Sequence, residues 1–115
     1  MNIESYREYC LVKAGVTEAF PFDENVLVFK VLGKMFALTD VNEFEFVNLK
    51  CNPERAVELR EKHPAVTPGY HMSKKHWNSV AIDGSISDEI INSWIDDSYD
   101  LIVEKLPKKE KEKLL

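Results

Sequence analysis

The sequence predicts a single α+β domain with the element order α-β(3)-α-β(2)-α, in which helices pack against an antiparallel sheet. Three observations support this fold class. The chain has 115 residues, the usual size of one domain. Runs of β-branched and aromatic residues follow one another with short connections, which is typical of an antiparallel meander. Segments with helical apolar spacing or helix-capping residues stand before, between and after these runs.

The first half of the chain contains one helix and three strands. Residues 2–14 predict a helix, because the apolar side chains at positions 3, 6 and 10 fall on one face of a 3.6-residue period. Gly15 suits its end, since glycine enters left-handed backbone conformations without steric cost. Residues 17–24 are predicted to be a connection. The strands are then predicted at residues 26–31, 34–39 and 44–50.

The second half adds a helix, two strands and a last helix. Asn52, Pro53 and Glu54 form a typical helix start, and Pro64 follows the end of that helix. Ser87 caps the last helix, predicted over residues 87–106, which Pro107 stops. The two strands between these helices are predicted at 66–72 and 77–82, joined by a turn over residues 73–76. Residues 107–115 are expected to be a charged, frayed tail of the one domain, which spans residues 1–115.

Charge is unevenly distributed along this acidic chain. The formal net charge is -5, which argues against strong non-specific binding to phosphate. Residues 51–82, however, contain 5 Lys or Arg against 3 Asp or Glu, while residues 83–106 contain 1 against 7. The sequence therefore leaves room for a local basic surface.

The sequence predicts a cytoplasmic protein without a membrane segment. No apolar run approaches the roughly 20 residues of a membrane-spanning helix. The N-terminal residues lack the basic and apolar regions of a signal peptide. Cys10 and Cys51 form no disulfide framework, and we expect both to be reduced and buried. A monomer is favoured.

The most unusual stretch is residues 68–77, which holds two His, two Lys, a Tyr and a Trp without apolar periodicity. Lysines on a turn can contact phosphates, and an exposed aromatic ring can stack on a base. The predicted contact residues are Tyr70, His71, Lys74, Lys75, His76 and Trp77, with Lys30 and Lys34 added if the first hairpin lies alongside. For Trp77, packing inside the sheet is favoured over contact with a base.

Other kinds of chemistry have weaker support. His63, His71 and His76 lack the spacing and the fourth ligand of a zinc site, so no metal is predicted. Cys51 precedes a helix start that would lower its thiol pKa, but no His lies beside it in the sequence. The four glycines are isolated, so no phosphate-binding loop and no cofactor are predicted. Asp96, Asp97 and Asp100 are interpreted as a solvated helix face.

Phe20, Pro21 and Phe22 interrupt the predicted connection between the first helix and the first strand. The two rings could flank a groove or cap one end of the core. Because large aromatic side chains are mostly buried, we expect them to cap the core.

Several segments, in order, resemble the MmcQ/YjbR family of small bacterial proteins. The main matches are residues 28–37, Asn48-Leu49-Lys50-Cys51, Pro68-Gly69-Tyr70-His71-Met72 and Lys74-Lys75-His76-Trp77. The resemblance spans nearly the whole chain. It implies the family's α-β(3)-α-β(2)-α fold and the label of a DNA-binding protein of double-wing type. It implies no reaction and no catalytic residues.

Two functions are therefore expected in competition. The first is a non-enzymatic DNA-binding protein of modest, salt-sensitive affinity. The second is a module that binds a protein or peptide, because the element order also resembles the fold of type III secretion chaperones, which bind polypeptide segments. An exposed sheet edge can accept a partner strand.

Overall fold

The chain folds into a six-stranded antiparallel sheet with its helices on one face. The computed structural model describes residues 1–115. Its elements are α1 (Ile3–Leu11), β1 (Val16–Ala19), β2 (Val26–Val31), β3 (Lys34–Asp40), β4 (Phe46–Lys50), α2 (Pro53–Lys62), β5 (Val66–Pro68), β6 (Trp77–Ala81), α3 (Asp88–Glu104) and α4 (Lys108–Glu112). The strand order is β1-β2-β3-β4-β6-β5. The predicted α+β fold with an antiparallel sheet is confirmed, with one more strand, β1, and one more helix, α4.

The helices begin where their capping residues predict. The Asn52 side chain accepts hydrogen bonds from the backbone N–H groups of Glu54 and Arg55, at 3.0 and 3.4 Å. The Ser87 hydroxyl accepts one from the N–H of Ile90 at 3.3 Å. These contacts satisfy N–H groups that have no partner inside a helix.

Strand register divides the sheet into a helix-covered face and an open face. Phe29 pairs with Ala37, and Ala37 with Leu49; all three belong to the main core beneath the helices. On the opposite face, Val28 and Leu38 pair with each other and form a small cluster with Trp77. Because neighbouring side chains along a strand point to opposite faces, both faces of the central strands are partly buried. This explains why their sequences do not alternate cleanly between apolar and polar residues.

Strand β1 was predicted as a connection. It pairs antiparallel with β2, from Val16 opposite Val31 to Ala19 opposite Val28. The strand is short, and its Thr17 and Ala19 are exposed, so it lacks the apolar signal of the central strands. This segment forms a strand because it pairs with β2 at the sheet edge, although its composition is not typical of a strand.

The charged C-terminal segment is also more ordered than expected. The prediction of a frayed tail was wrong for α4, which forms one short helix directly after Pro107. Leu114 packs against the main core beyond that helix. A single apolar side chain among lysines and glutamates is enough to dock the segment, although it gives no periodic signal.

The acidic side chains of α3 are not simply a solvated face. Asp96 accepts a hydrogen bond from the Tyr9 hydroxyl at 2.8 Å and forms an ion pair with Lys13 of the segment after α1. Asp97 forms an ion pair with Arg55 of α2 at 3.3 Å. Asp96 and Asp97 therefore link α3 to both neighbouring helices. The interpretation as a solvated face was wrong for half-buried Asp96, whereas Asp97 and Asp100 are exposed.

Candidate nucleic-acid interface

Two hairpin tips emerge at the same end of the sheet. The turn between β2 and β3 and the segment between β5 and β6, residues 69–76, both lie there, because every neighbouring pair of strands is antiparallel. The end of β4 lies on the path between them, since the strand order is β2-β3-β4-β6. At about 4.8 Å between neighbouring strands, β3 and β6 are separated by roughly 10 Å. The topology therefore places both groups of predicted lysines along one side of the molecule.

Six lysines define this end, which we call the basic end: Lys30, Lys34, Lys50, Lys74, Lys75 and Lys105. None of the six forms an ion pair, whereas Lys13, Arg7, Arg55 and Lys113 all do. Lys74 and Lys75 are exposed at the second hairpin tip. No carboxylate lies within ion-pair distance of these ammonium groups, although Asp97, Asp100 and Glu104 line the same cleft as Lys50.

The environment of Lys50 shows that some of these charges are close together. Partial burial lowers the pKa of Lys50, and repulsion from Lys105 and Lys34 lowers it further. An anion placed between these side chains would relieve that repulsion. Lys50 and Lys105 were not among the predicted site residues. Their signal in the sequence is only their place at the end of an element: Lys50 is the last residue of β4, and Lys105 directly follows α3.

The second hairpin tip is held in place by backbone contacts. Arg60 of α2 donates from Nη1 to the carbonyl of Lys74 at 3.0 Å. The carbonyl of Ser73 accepts from the N–H groups of His76 and Trp77, at 3.2 and 2.9 Å, and the carbonyl of His76 accepts from the N–H of Cys51 at 2.8 Å. Lys74 and Lys75 therefore project from a fixed turn, and half-buried His76 contributes mainly its backbone.

Trp77 does not belong to the exposed site. Its side chain is only 6% exposed and packs against Val28 and Leu38. The favoured prediction of inward packing is confirmed, and the prediction that Trp77 contacts a base was wrong. The cause is its place as the first residue of β6, with its side chain on the open face, where the segment 69–72 covers it.

Tyr70 and His71 fold back over the sheet instead of extending a strand. The predicted strand at 66–72 ends at Pro68, because side chains of the sheet bind the backbone beyond it. Asn48 donates to the carbonyl of Tyr70 at 3.3 Å, and the N–H of Tyr70 donates to the Ser79 hydroxyl at 3.0 Å. His71 has a φ of 58°, a left-handed conformation that no strand contains.

This fold-back separates Tyr70 and His71 from the lysines. The Tyr70 ring meets the Phe46 ring edge to face, with centroids 5.8 Å apart, near the start of β4. Phe46 lies at the opposite end of β4 from Lys50. The predicted site is therefore divided, because the lysines occupy the basic end while Tyr70 and His71 lie on the open face.

The opposite end of the sheet is acidic. It carries Asp23 and Glu24 in the connection before β2, Asp40 at the end of β3, and Glu43 and Glu45 between β3 and β4. Residues 20–25 and 40–45 contain no Lys or Arg. Phe20 and Phe22 lie in the first of these connections and are 49% and 62% exposed. The expectation that they cap the core was wrong.

Neither cysteine has the lowered thiol pKa of a reactive cysteine. Burial raises the pKa of the Cys51 thiol, opposite to the lowering that a reactive cysteine needs. Burial also raises the pKa of Cys10 to about 12. No three His, Cys, Asp or Glu side chains are grouped in a way that could hold a metal ion. None of the helices combines the length and apolar character required to cross a membrane.

Comparison with known proteins identifies relatives of this chain. The YjbR family model matches residues 11–101. Escherichia coli K12 contains an uncharacterised protein, YjbR, that is 38% identical over 100% of this chain and 98% of its own length. A crystal structure of a Deinococcus radiodurans protein with the domain DUF419 has a TM-score of 0.91 at 40% identity, covering 98% of this chain and 87% of that one. A Pseudomonas syringae structure has a TM-score of 0.75 at 30% identity, covering 88% of this chain and 98% of that one. The chain belongs to the YjbR family.

Proposed function

We propose that this protein is a non-enzymatic DNA-binding protein that contacts phosphates through its basic end. The observation that carries the proposal is that six lysines at one end of the sheet have no carboxylate partner. Lysines placed in this way act as point charges towards backbone phosphates. They fix position on DNA and carry no sequence information themselves.

The two hairpins suit the double-wing arrangement expected from the resemblance. The first wing is the β2–β3 hairpin, which carries Lys30 and Lys34 near its tip. The second is the β5–β6 hairpin, with Lys74 and Lys75. Lys50 and Lys105 fill the space between or beside them and repel each other. A phosphate backbone running across this end would therefore meet charges from four separate parts of the chain.

The acidic end would orient the molecule on DNA. The five carboxylates at this end would repel phosphate, while the basic end attracts it. A net charge of -5 is then compatible with binding in one orientation, but it limits affinity. With about six phosphate contacts at most, the logarithm of the binding constant should fall with the logarithm of salt concentration with a slope of no more than about -5.

Binding of a peptide as an added strand has less support from the sheet edges. Edge strand β5 has only three residues and ends at Pro68, which has no N–H to offer. The other edge strand, β1, has four residues. Both edges are too short to give an added strand many backbone hydrogen bonds.

We expect Lys74→Ala/Lys75→Ala to weaken DNA binding and to reduce its dependence on salt. Loss of two phosphate contacts should make the logarithmic salt slope shallower by about 2, independently of DNA sequence. The measurement is fluorescence anisotropy of labelled double- and single-stranded DNA, titrated at several salt concentrations. Circular dichroism confirms that each variant is folded.

Lys62→Glu is the matched control, because it changes the net charge by two, as the double variant does. Lys62 is exposed at the end of α2, four residues before the start of β5. The start of β5 lies at the opposite end of the sheet from the hairpin tips. The salt slope of DNA binding by the Lys62→Glu variant should remain close to that of the wild type. The proposal fails if the wild type does not bind either DNA at low salt. It also fails if Lys62→Glu changes the slope as much as the double variant.

A further inference from the structure

An aromatic groove lies on the open face of the sheet, apart from the basic end. It has a volume of about 380 Å³ and is bounded by the connection before β2 on one side and the segment 70–72 on the other. Val26, Leu38 and Met72 provide apolar lining. The volume falls within the range of about 300–1,000 Å³ that is usual for small-molecule sites. The proposed DNA contact does not use this groove.

Three benzene-type rings and the imidazole of His71 line the groove, and the rings of Phe22 and Tyr70 are largely exposed. Phe22 is 62% exposed and Tyr70 is 59% exposed, while Phe46 stands edge to face against Tyr70. The Tyr70 backbone is fixed by Asn48 and Ser79, so this wall is held in place without a ligand. Exposed rings of this kind contribute little to the core. They offer apolar surface and negatively polarised ring faces to a bound molecule.

Two carboxylates, of Asp23 and Asp40, also line the groove, and each is oriented by its own loop. Asp23 Oδ1 accepts from the N–H groups of Asn25 and Val26 at 2.8 and 2.9 Å. Asp40 Oδ1 accepts from those of Asn42 and Glu43 at 2.9 and 3.3 Å. In each case Oδ2 accepts no hydrogen bond, and neither carboxylate forms an ion pair.

The two loops are joined, so the carboxylates stay on the same side of the groove. Asp40 pairs with Val26 across the β2–β3 ladder, and Val26 donates to Asp23. Asn42 donates to the Asn25 side chain at 2.5 Å, and the N–H of Val41 donates to the Asn25 carbonyl at 2.9 Å. No Lys or Arg lines the groove, and His71 is its one basic side chain. Aromatic faces and two uncompensated carboxylates therefore converge on one concave surface.

We propose that this groove binds a small organic cation, an ammonium or guanidinium group attached to an aromatic or apolar body. The free carboxylate oxygens would accept its N–H donors, and the ring faces would attract its charge. The apolar lining would receive its body. The same carboxylates repel phosphates and carboxylates, so the groove excludes nucleotides and acidic metabolites. This inference does not depend on DNA binding at the basic end.

Phenethylamine is a suitable probe, because two analogues of similar size differ from it in charge. The neutral analogue is 2-phenylethanol, and the anionic one is phenylacetate. In a titration followed by amide NMR, the amine should give saturable shifts at residues 22–26, 40–43 and 70–72. The alcohol should bind about tenfold more weakly, since it lacks the ionic and cation–π contributions, and phenylacetate should not bind.

Asp23→Asn/Asp40→Asn tests the role of charge, because Asn keeps the Oδ1 acceptor that each loop uses. The double variant should bind phenethylamine about tenfold more weakly, with 2-phenylethanol unaffected. Asp100→Asn, which changes an exposed carboxylate of α3 on the other face of the sheet, should match the wild type. The inference is overturned if the alcohol binds as tightly as the amine, if the shifts lie elsewhere, or if the double variant retains full affinity.

Discussion

Replacing Trp77 by alanine is expected to lower the free energy of unfolding by about 3–5 kcal/mol. The indole is 6% exposed and fills the cluster with Val28 and Leu38 on the open face. Such a loss is a large part of the roughly 5–15 kcal/mol that stabilises a typical domain. The measurement is the midpoint of urea unfolding followed by far-ultraviolet circular dichroism.

The backbone around Trp77 adds to its structural role. The N–H of Gly69 donates to the Trp77 carbonyl at 2.8 Å, and a Cβ on Gly69 would lie 2.7 Å from the Cβ of Trp77. The segment 69–72 therefore lies directly on Trp77, and only glycine permits that approach. Loss of the indole should also loosen Met72, which packs against the same cluster.

Trp77→Phe distinguishes this structural role from contact with DNA. Phe retains an apolar ring, so the variant should be less destabilised than Trp77→Ala and remain folded. Its DNA affinity should equal that of the wild type, because the ring at this position does not reach solvent. The burial of Trp77 away from DNA would be contradicted by a folded Trp77→Phe protein with greatly weakened DNA binding. It would also be contradicted if Trp77→Ala were as stable as the wild type.

The elements that could be predicted from the sequence are those with local signals. Caps such as Asn52 and Ser87 act within three residues, and the apolar runs of β2 and β3 mark buried strands whatever their neighbours. Strand β1 lacks such a signal because pairing with β2 alone defines it. Leu114 likewise docks through a contact distant in sequence.

The candidate site was predictable only in part for the same reason. Lys74 and Lys75 stand out as neighbours in sequence. Lys34 and Lys50, in contrast, come together through the strand order, and Lys105 joins them through the packing of α3 on β3 and β4. The groove depends on Asn48 and Ser79, which lie 31 residues apart and together hold the backbone of Tyr70. Without those contacts, residues 68–72 would suit a strand.

Ser98→Ala is expected to cost about 2–4 kcal/mol of unfolding free energy, because it would leave a buried backbone carbonyl and a partly buried N–H group without partners. The β3–β4 pairing ends at Ala37 and Leu49. Beyond it, the fully buried Ser98 hydroxyl donates to the carbonyl of Phe36 at 2.5 Å and accepts from the N–H of Lys50 at 2.9 Å. One α3 hydroxyl thus joins the two strands where their ladder stops.

The matched control for Ser98→Ala is Ser93→Ala, the same chemical change on the same helix. The Ser93 hydroxyl is exposed and donates to the carbonyl of Ile90 within α3, so its removal should change stability by no more than about 0.5 kcal/mol. Hydrogen exchange at the Lys50 amide measures the local effect. The exchange should become faster in Ser98→Ala and stay unchanged in Ser93→Ala. Lys50 belongs to the basic end. If Ser98 holds Lys50 in place for contact with phosphate, the salt slope of DNA binding should be shallower in Ser98→Ala than in Ser93→Ala. Equal unfolding midpoints for the two serine variants would show that the bridge adds nothing to stability.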